Sequence, residues 1–218
     1  MISAIIFDCD GVLVDSESLA LEVGLSVLTE MGLHYERTDY KKRFFGRSMN
    51  AYFKELADDA ERRGIALPAD FRERLDYEVL DDGLLAVEGV HEAVDAVRQL
   101  KAVASSSTAH SLESKLRKTR LWERFAPHVY SADHVRHTKP APDLFFYAAD
   151  KLAVAPARCL VLEDSTLGVT AARAAGMPVW GFVGGSHNDS DSGPRLLQAG
   201  AERIVADWAE AASLFVSL

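Results

Sequence analysis

Two aspartates separated by one residue follow the first apolar segment of the chain. Residues 5–7 read Ile-Ile-Phe, and Asp8, Cys9, Asp10 and Gly11 come next. An apolar, β-branched run of this kind predicts a strand buried on both faces, where unpaired charge is costly. Because side chains alternate along a strand, the chain must turn near Asp10 if both acids are to reach one pocket, and Gly11 supplies the backbone freedom for that turn.

The pair of acids has two interpretations. The simpler one is an Asp-Gly turn that carries two solvated carboxylates. The alternative is a metal-assisted carboxylate site at the carboxyl end of a parallel strand, which is where open α/β sheets bind ligands. The spacing differs from that of the calcium-binding loop, which places its glycine at the sixth position.

Polar clusters also follow three later strands that the sequence predicts. They are Ser105 with Ser106, the loop bearing Lys139, and Glu163 with Asp164. Taken singly, each has an ordinary explanation, as helix-capping serines, a solvated lysine or an acidic helix cap. Right-handed crossovers bring the carboxyl ends of parallel strands to one edge of a sheet, so the four clusters together predict one polar site.

The elements that must hold these clusters alternate between strand and helix. Short strands are predicted over residues 102–104, 128–131, 158–164, 178–183 and 204–206, and helices over residues 89–100, 111–121, 142–152 and 165–175, with a last helix at the C-terminus. The helix over residues 111–121 is predicted to be basic on its outer face, and residues 184–193 form a polar loop that could border the site. This alternation indicates an α/β fold with a parallel sheet covered on both faces.

A segment with only helical patterns separates the first strand from the rest of the chain. Leu19, Val23, Val27 and Met31 recur at four-residue steps, with Leu21, Leu25 and Leu28 broadening the stripe. No strand pattern appears before about residue 83. We therefore predict two domains, a core formed by residues 1–15 and 85–218 and an all-helical domain formed by residues 16–84.

Composition restricts the partners and the compartment. The chain has 218 residues and a formal net charge of -9, from 33 acidic and 24 basic residues, which argues against nucleic acid or an anionic membrane as the main partner. A phosphate substrate would then need local positive groups. Cys9 and Cys159, both in predicted buried strands, indicate structural thiols in a reducing cytosol. We find no signal peptide and no apolar run of the ~18 residues that a membrane span needs, so we expect a cytoplasmic protein.

Four motifs together resemble those of the haloacid dehalogenase (HAD) superfamily, and within it the sugar-phosphatase and β-phosphoglucomutase-like branch. They read DCDGVLVDSE over residues 8–17, ASSS over residues 104–107, KPAPD over residues 139–143 and VLEDS over residues 161–165. The likeness extends over essentially the whole chain. It implies a Rossmann-like core with helices on both faces of the sheet, an inserted helical cap, and a monomer, as in many relatives.

The resemblance implies catalytic roles for the acids. Asp8 would be the nucleophile that attacks phosphorus and forms a phosphoaspartate. Asp10 would protonate the leaving alkoxide and then activate water. Asp8, the backbone carbonyl of Asp10, and Asp164 would hold Mg²⁺, with Glu163 beside them, because hard oxygen ligands suit that ion.

The resemblance also implies a set of residues that bind the substrate. Ser105 would donate a hydrogen bond to a phosphoryl oxygen, and Lys139 would neutralise both the nucleophile and the phosphate, so both also count as catalytic. Arg47 is our candidate for a contact from the cap, although a surface arginine packed on neighbouring Phe side chains explains it almost as well. The full predicted set is Ser105, Ser106, Lys139, Arg47 and Glu17.

The activity predicted on this basis is Mg²⁺-dependent hydrolysis of a small phosphorylated metabolite, and the resemblance favours a sugar or sugar-acid phosphate. Asp10 and the Glu163-Asp164 pair favour phosphoryl transfer over carbon–halogen chemistry, which needs neither a proton for the halide nor Mg²⁺. A β-phosphoglucomutase-like mutase is one alternative, but those mutases place a histidine where this chain has Ala20. A second alternative, from another class, is a phosphorylatable switch domain that is not an enzyme.

Overall fold

The computed structural model describes residues 1–44, 49–75 and 83–218, with the backbone alone at residues 17, 49 and 50. The chain divides into two compact units. The first, which we call the core unit, contains Met1–Ser16 and Leu84–Leu218. The second, the cap unit, contains Glu17–Gly83.

The cap unit is helical throughout its described part. Its helices are α1 (Ser16–Glu30, which starts at the last residue of the core unit), α2 (Arg37–Phe44), α3 (Met49–Arg62) and α4 (Phe71–Arg74). They bury one apolar cluster that includes Leu28 of α1, Tyr40 of α2 and Leu56 of α3. The part of the predicted helical region that falls on residues 76–82 lies outside the described residues.

Helix α1 buries only part of the stripe predicted for it. Leu21, Gly24 and Leu28 are its buried interior positions of this face, whereas Leu19 and Val23 are only half-buried. A Cβ atom at Gly24 would lie 2.1 Å from the hydroxyl oxygen of Tyr40. The predicted stripe is therefore confirmed at Leu21 and Leu28 and wrong at Leu19 and Val23, because the face of α1 that carries Gly24 packs against Tyr40.

Asp59 of α3 is a buried carboxylate that ties the cap helices together. Its Oδ2 accepts a hydrogen bond from the Tyr35 hydroxyl at 2.6 Å and lies 2.9 Å from the Arg63 guanidinium, and its Oδ1 accepts from Arg43 and Arg62, both at 3.0 Å. Burial alone would raise the pKa of Asp59, but these donors lower it below its ordinary value. The carboxylate is thus charged and saturated with donors at neutral pH.

Replacing this carboxylate tests its contribution to the cap unit. We expect Asp59→Asn to destabilise the cap unit by about 1–3 kcal/mol at neutral pH, because an amide offers fewer acceptors to the same donors. A lowered pKa gives stability that is present above the unfolded value, near 3.8, and lost as pH falls through the folded one. The difference between variant and wild type should therefore shrink in acid. Hydrogen exchange of the α3 amides measures it.

Asp58→Asn is the matched control, because Asp58 is the adjacent residue and pairs with the exposed Lys54 at 2.6 Å. This control should leave the exchange rates of α3 near those of the wild type. Equal effects of the two substitutions, or a deficit for Asp59→Asn that is independent of pH, would contradict the account of Asp59.

Among the described residues of the core unit, one parallel sheet has six strands. They are β1 (Ala4–Phe7), β2 (Leu100–Ala104), β3 (Val129–Tyr130), β4 (Cys159–Glu163), β5 (Val179–Phe182) and β6 (Arg203–Val205). Their order in the sheet is β3-β2-β1-β4-β5-β6, and every neighbouring pair is parallel. The predicted parallel α/β fold is confirmed, and β1 lies between the two strands that precede Ser105 and Asp164.

Helices cover both faces of this sheet. They are α5 (Val90–Ala96), α6 (Ala109–Lys118), α7 (Trp122–Phe125), α8 (Asp143–Leu152), α9 (Thr166–Ala174), α10 (Ser192–Ala199) and α11 (Trp208–Phe215). Ile5 and Phe7 of β1 pack with α5, α6 and α11, whereas Ile6 packs with α8 and α9. All three side chains are fully buried, and the burial of each contributes roughly 1.5–3 kcal/mol to the stability of the folded state. None of the described helices is long and apolar enough to cross a lipid bilayer.

The predicted helix over residues 89–100 was wrong at its end. Helix α5 stops at Ala96, and Val97 has an extended ψ of 122°. Leu100 begins β2, where it pairs with Ala4 of the central strand. The chain thus leaves the helix after Ala96 so that Leu100 can pair with β1. The spacing of apolar residues does not reveal such pairing.

Candidate active site

The carboxyl ends of three adjacent strands meet at one edge of the sheet. Phe7 pairs with Val103 on one side and with Leu162 on the other, so Asp8 is level with Ala104 and Glu163. The backbone N–H of Asp8 extends the ladder by donating to the Leu162 carbonyl at 3.0 Å. The polar clusters after β1, β2 and β4 are therefore neighbours in space.

Lys139 joins these three strand ends. Its Nζ lies 2.6 Å from Asp8 Oδ1, 2.5 Å from Glu163 Oε1 and 2.9 Å from the Ala104 carbonyl oxygen. The side chain is only 5 % exposed. A lysine ammonium has three donors, and here each one reaches a different strand end. Lys139 is thus a fixed positive charge beside Asp8, and not a solvated lysine.

Three carboxylates, those of Asp8, Glu163 and Asp164, lie close together near the Lys139 ammonium. Oxygen atoms of Asp8, Glu163 and Asp164 all lie within 4.8 Å of one another. Burial raises the pKa of Asp8 well above its ordinary value, with Lys139 opposing and Glu163 and Asp164 adding to the rise. Burial and Glu163 likewise raise the pKa of Asp164. This excess of negative charge and the hard oxygen donors fit a divalent cation such as Mg²⁺.

Glu163 uses both of its oxygens within the protein. Lys139 donates to Oε1, and the backbone N–H and hydroxyl of Ser165 donate to Oε2 at 3.0 and 2.9 Å. A Cβ atom at Gly168 would lie 1.8 Å from Oε1, so only glycine lets the carboxylate pack on the first turn of α9. Of the acids near the candidate cation site, Asp8 and Asp164 have more freedom to bind an ion.

The turn after β1 passes directly beside Asp164. Gly11 has a φ of +78°, which favours glycine, and its N–H donates to the Val14 carbonyl at 2.8 Å. A Cβ atom at Gly11 would lie 1.8 Å from Asp164 Oδ2. The glycine predicted to permit the turn thus also leaves room for the carboxylate that follows β4.

Asp10 is held by three donors. Its Oδ1 accepts from Ser16 Oγ at 2.6 Å and from Lys115 Nζ at 2.8 Å, and its Oδ2 accepts from Ser107 Oγ at 3.0 Å. Burial alone would raise its pKa, but Lys115 above all, with the two hydroxyls, lowers the pKa of Asp10 below its ordinary value. The ligand-free protein therefore holds Asp10 as a carboxylate.

The serine segment after β2 divides its predicted roles. Ser105 is buried, and its Oγ accepts from the Ser107 N–H at 3.1 Å, while no acceptor among the described residues holds its O–H. Ser106 is exposed, and Ser107 is the serine that contacts Asp10. Thr108 caps α6 by accepting from the Ser111 N–H at 3.3 Å. Helix capping and site formation therefore occur in one short segment.

Two residues predicted to bind substrate fall outside this description. Arg47 is not among the described residues, and neither is the side chain of Glu17. Both remain predictions.

Sequence reasoning assigned no role in the site to several residues that contact the predicted acids, among them Ser16, Ser107, Lys115 and His187. Lys115 is buried, so the prediction that α6 carries its basic residues on the outer face was wrong for this lysine. Its position beside Leu112 and Leu116 on the apolar face was the available signal. His187, in the polar loop after β5, has Nε2 3.0 Å from Asp164 Oδ2. The sequence predicted only that the loop containing His187 could border the site, and did not single out the histidine.

The fold and the candidate site are those of a class of hydrolase in which a group of acidic residues lies at the carboxyl end of a central parallel strand. The chain belongs to the haloacid dehalogenase-like hydrolases, whose family pattern matches residues 5–182. The predicted class, a phosphoric monoester hydrolase of the HAD type, is confirmed, and the alternative of a switch domain without enzymatic activity is not supported.

Individual proteins place the chain within that family. It is 32% identical to a phosphorylated carbohydrates phosphatase of Thermotoga maritima, over 93% of both chains. It is 27% identical to the 6-phosphogluconate phosphatase of Escherichia coli, over 89% of both chains. A crystal structure of a HAD family hydrolase from Deinococcus radiodurans, with bound phosphate and sodium, matches with a TM-score of 0.87 and 36% identity, covering 98% of this chain and 95% of the other.

A much longer relative matches only in part. The chain is 34% identical to SUPPRESSOR OF QUENCHING 1, a chloroplastic protein of Arabidopsis thaliana, but spans 17% of its length.

Proposed function

We propose that this enzyme is a Mg²⁺-dependent phosphatase that hydrolyses a small sugar or sugar-acid phosphate through a phosphoaspartate on Asp8. The observation that carries the proposal is the contact of Lys139 with Asp8, Glu163 and the Ala104 carbonyl. A buried ammonium beside a buried carboxylate supports attack on a phosphate, because it offsets negative charge on both reactants.

The chemistry has two half-reactions. In the first, an Asp8 oxygen bonds to phosphorus and the bond to the leaving oxygen breaks, and Asp10, which has first taken a proton from solvent, gives that proton to the leaving oxygen. In the second, Asp10 takes a proton from a water molecule, whose oxygen bonds to phosphorus as the bond to Asp8 breaks. Proton transfer of this kind is worth ~10²–10⁴ in rate. Ser105, whose O–H has no acceptor among the described residues, donates it to a phosphoryl oxygen.

The cation is assigned to Asp8 and Asp164, each of which keeps one carboxylate oxygen that no side chain among the described residues contacts. Asp8, Asp164 and the backbone carbonyl of Asp10 would hold Mg²⁺, and Glu163 orients Lys139. When bound there, the ion offsets the negative charge between nucleophile and phosphate.

Asp164→Asn tests this assignment. We expect the Mg²⁺ concentration for half-maximal activity to rise by about 10–100-fold, since changes around a metal site of this kind have effects of that size. Isothermal titration with Mg²⁺ alone should show the same loss of affinity without any substrate. The exposed Asp191, whose side chain makes no capping hydrogen bond, provides the control Asp191→Asn, which should bind Mg²⁺ as the wild type does. Unchanged affinity in Asp164→Asn would remove it from the ligand set.

The substrate class follows from the family branch. The relatives from T. maritima and E. coli are named for phosphorylated carbohydrates and 6-phosphogluconate, which supports sugar and sugar-acid phosphates. Phosphate release with Mg²⁺ should be measured over sugar phosphates, sugar-acid phosphates, nucleotides and pyrophosphate. We expect the first two classes to be the fastest; a chain that releases phosphate from none of them would refute the proposal.

Hydrolysis is favoured over mutase chemistry by one position of α1. Ala20 stands where the mutases carry a histidine, and its methyl group transfers no proton. Incubation with β-glucose 1-phosphate and its bisphosphate distinguishes the two activities. Hydrolysis gives free phosphate, whereas a mutase gives glucose 6-phosphate.

A further inference from the structure

A buried lysine lies outside the four motifs. Lys115 is 8% exposed, on a face of α6 that also buries Leu112 and Leu116 in the apolar core. Its Nζ lies 2.8 Å from Asp10 Oδ1 and 3.1 Å from Ser107 Oγ. Burying an ammonium is costly without a charged partner, and an apolar side chain of similar length would satisfy the packing of α6. The packing of α6 therefore does not require a lysine at this position, whereas the ion pair with Asp10 does.

The contacts at Asp10 distinguish its two oxygens. Oδ1 accepts from both Ser16 Oγ and Lys115 Nζ, and Oδ2 accepts from Ser107 Oγ alone among the described residues. Each carboxylate oxygen accepts about two hydrogen bonds, so Oδ1 is saturated and Oδ2 keeps one acceptor position. Because Lys115 also donates to Ser107 Oγ, it orients the hydroxyl that holds Oδ2.

We propose that Lys115 is a positioning residue that acts through Asp10 and makes Oδ2 the atom that transfers the proton. In the first half-reaction Oδ2, after taking a proton from solvent, gives it to the leaving oxygen as the bond between that oxygen and phosphorus breaks. In the second, Oδ2 takes a proton from the attacking water as the bond between phosphorus and Asp8 breaks. Lys115 keeps its three protons throughout. The inference rests on the proposed acid and base role of Asp10.

The test compares two leaving groups. A sugar alkoxide needs a proton to leave, whereas the nitrophenolate of p-nitrophenyl phosphate needs little help. We expect Lys115→Met to lower kcat/KM about 10–100-fold for the faster of glucose 6-phosphate and 6-phosphogluconate, and no more than about threefold for p-nitrophenyl phosphate, because kcat/KM reports the half-reaction that needs the acid. Lys115→Arg, which keeps a cationic donor, should recover part of the loss.

A matched control and a double-mutant cycle complete the design. Lys118→Met removes an exposed lysine of the same helix and should leave both substrates unaffected. Lys115→Met added to Asp10→Asn should slow the sugar phosphate no more than about twofold beyond Asp10→Asn alone, because residues that act through one group are not additive. If the methionine variant fails to fold, Lys115→Gln takes its place with the same expectation.

The outcomes separate this inference from the proposed function. Equal losses with both leaving groups, or losses that multiply in the double variant, would overturn the role of Lys115. A wild-type enzyme that releases phosphate from neither kind of substrate would instead refute the phosphatase proposal itself.

Discussion

Asp8→Asn is expected to lower kcat by about 10⁴-fold or more, because an amide cannot replace the carboxylate nucleophile. The core unit should remain folded. Asparagine has the size of aspartate and still accepts a hydrogen bond from Lys139, and burial already raises the pKa of the Asp8 carboxyl. The measurement is steady-state phosphate release with Mg²⁺, together with circular dichroism of the purified variant.

Two controls make the result for Asp8 interpretable. Asp150→Asn, at an exposed position of α8, should keep the wild-type rate. Mass spectrometry of the variant excludes deamidation back to aspartate. Appreciable turnover by an intact Asp8→Asn protein would remove Asp8 from the role of nucleophile.

Lys139→Met is expected to have the second large effect, on both rate and stability. It removes the ammonium group that contacts Asp8 and Glu163, and so leaves two buried carboxylates without this positively charged partner. Removing one partner of a buried ion pair costs about 3–5 kcal/mol of unfolding free energy. Losing the charge that stabilises the transition state should lower kcat by about 10³-fold or more. Urea unfolding and phosphate release measure the two effects.

The stability deficit of Lys139→Met should depend on pH. Lys139 lowers the pKa of Asp8, so its removal raises that pKa further. A carboxyl with a raised folded-state pKa gives stability that is present in acid and lost as pH rises through that pKa. The deficit should therefore be smaller at about pH 5 than at about pH 8. Lys151→Met, at an exposed lysine of α8, should show no such deficit, and a pH-independent deficit at position 139 would contradict the account.

The sequence predicts the strands and helices of the core unit well, because a buried strand requires a run of apolar residues that can be recognised in the sequence itself. Ile5, Ile6 and Phe7 form a strand that is fully buried, and Asp8 follows it at the edge of the sheet. The polar residues after β2 and β4 could be placed together because parallel strands end on the same side. Lys139 could be added only through its order among the motifs.

What the sequence did not predict depends on tertiary contacts. Leu100 joins β2 because Ala4 pairs with it, and the face of α1 is chosen by Tyr40 against Gly24. Lys115 was taken for a surface lysine because a partner 105 residues away in the sequence, Asp10, is what makes its burial favourable. His187 lies in a loop, whose path no periodic pattern describes.

The most direct test of the account is chemical trapping of the phosphorylated residue. Asp10→Asn, which lacks the base for the second half-reaction, is mixed with p-nitrophenyl phosphate and Mg²⁺, quenched in acid, reduced with borohydride and mapped by mass spectrometry. The account predicts homoserine at position 8, the product of a reduced phosphoaspartate. Homoserine or phosphate at another residue, or phosphate release from a competent enzyme with no modification at Asp8, would contradict it.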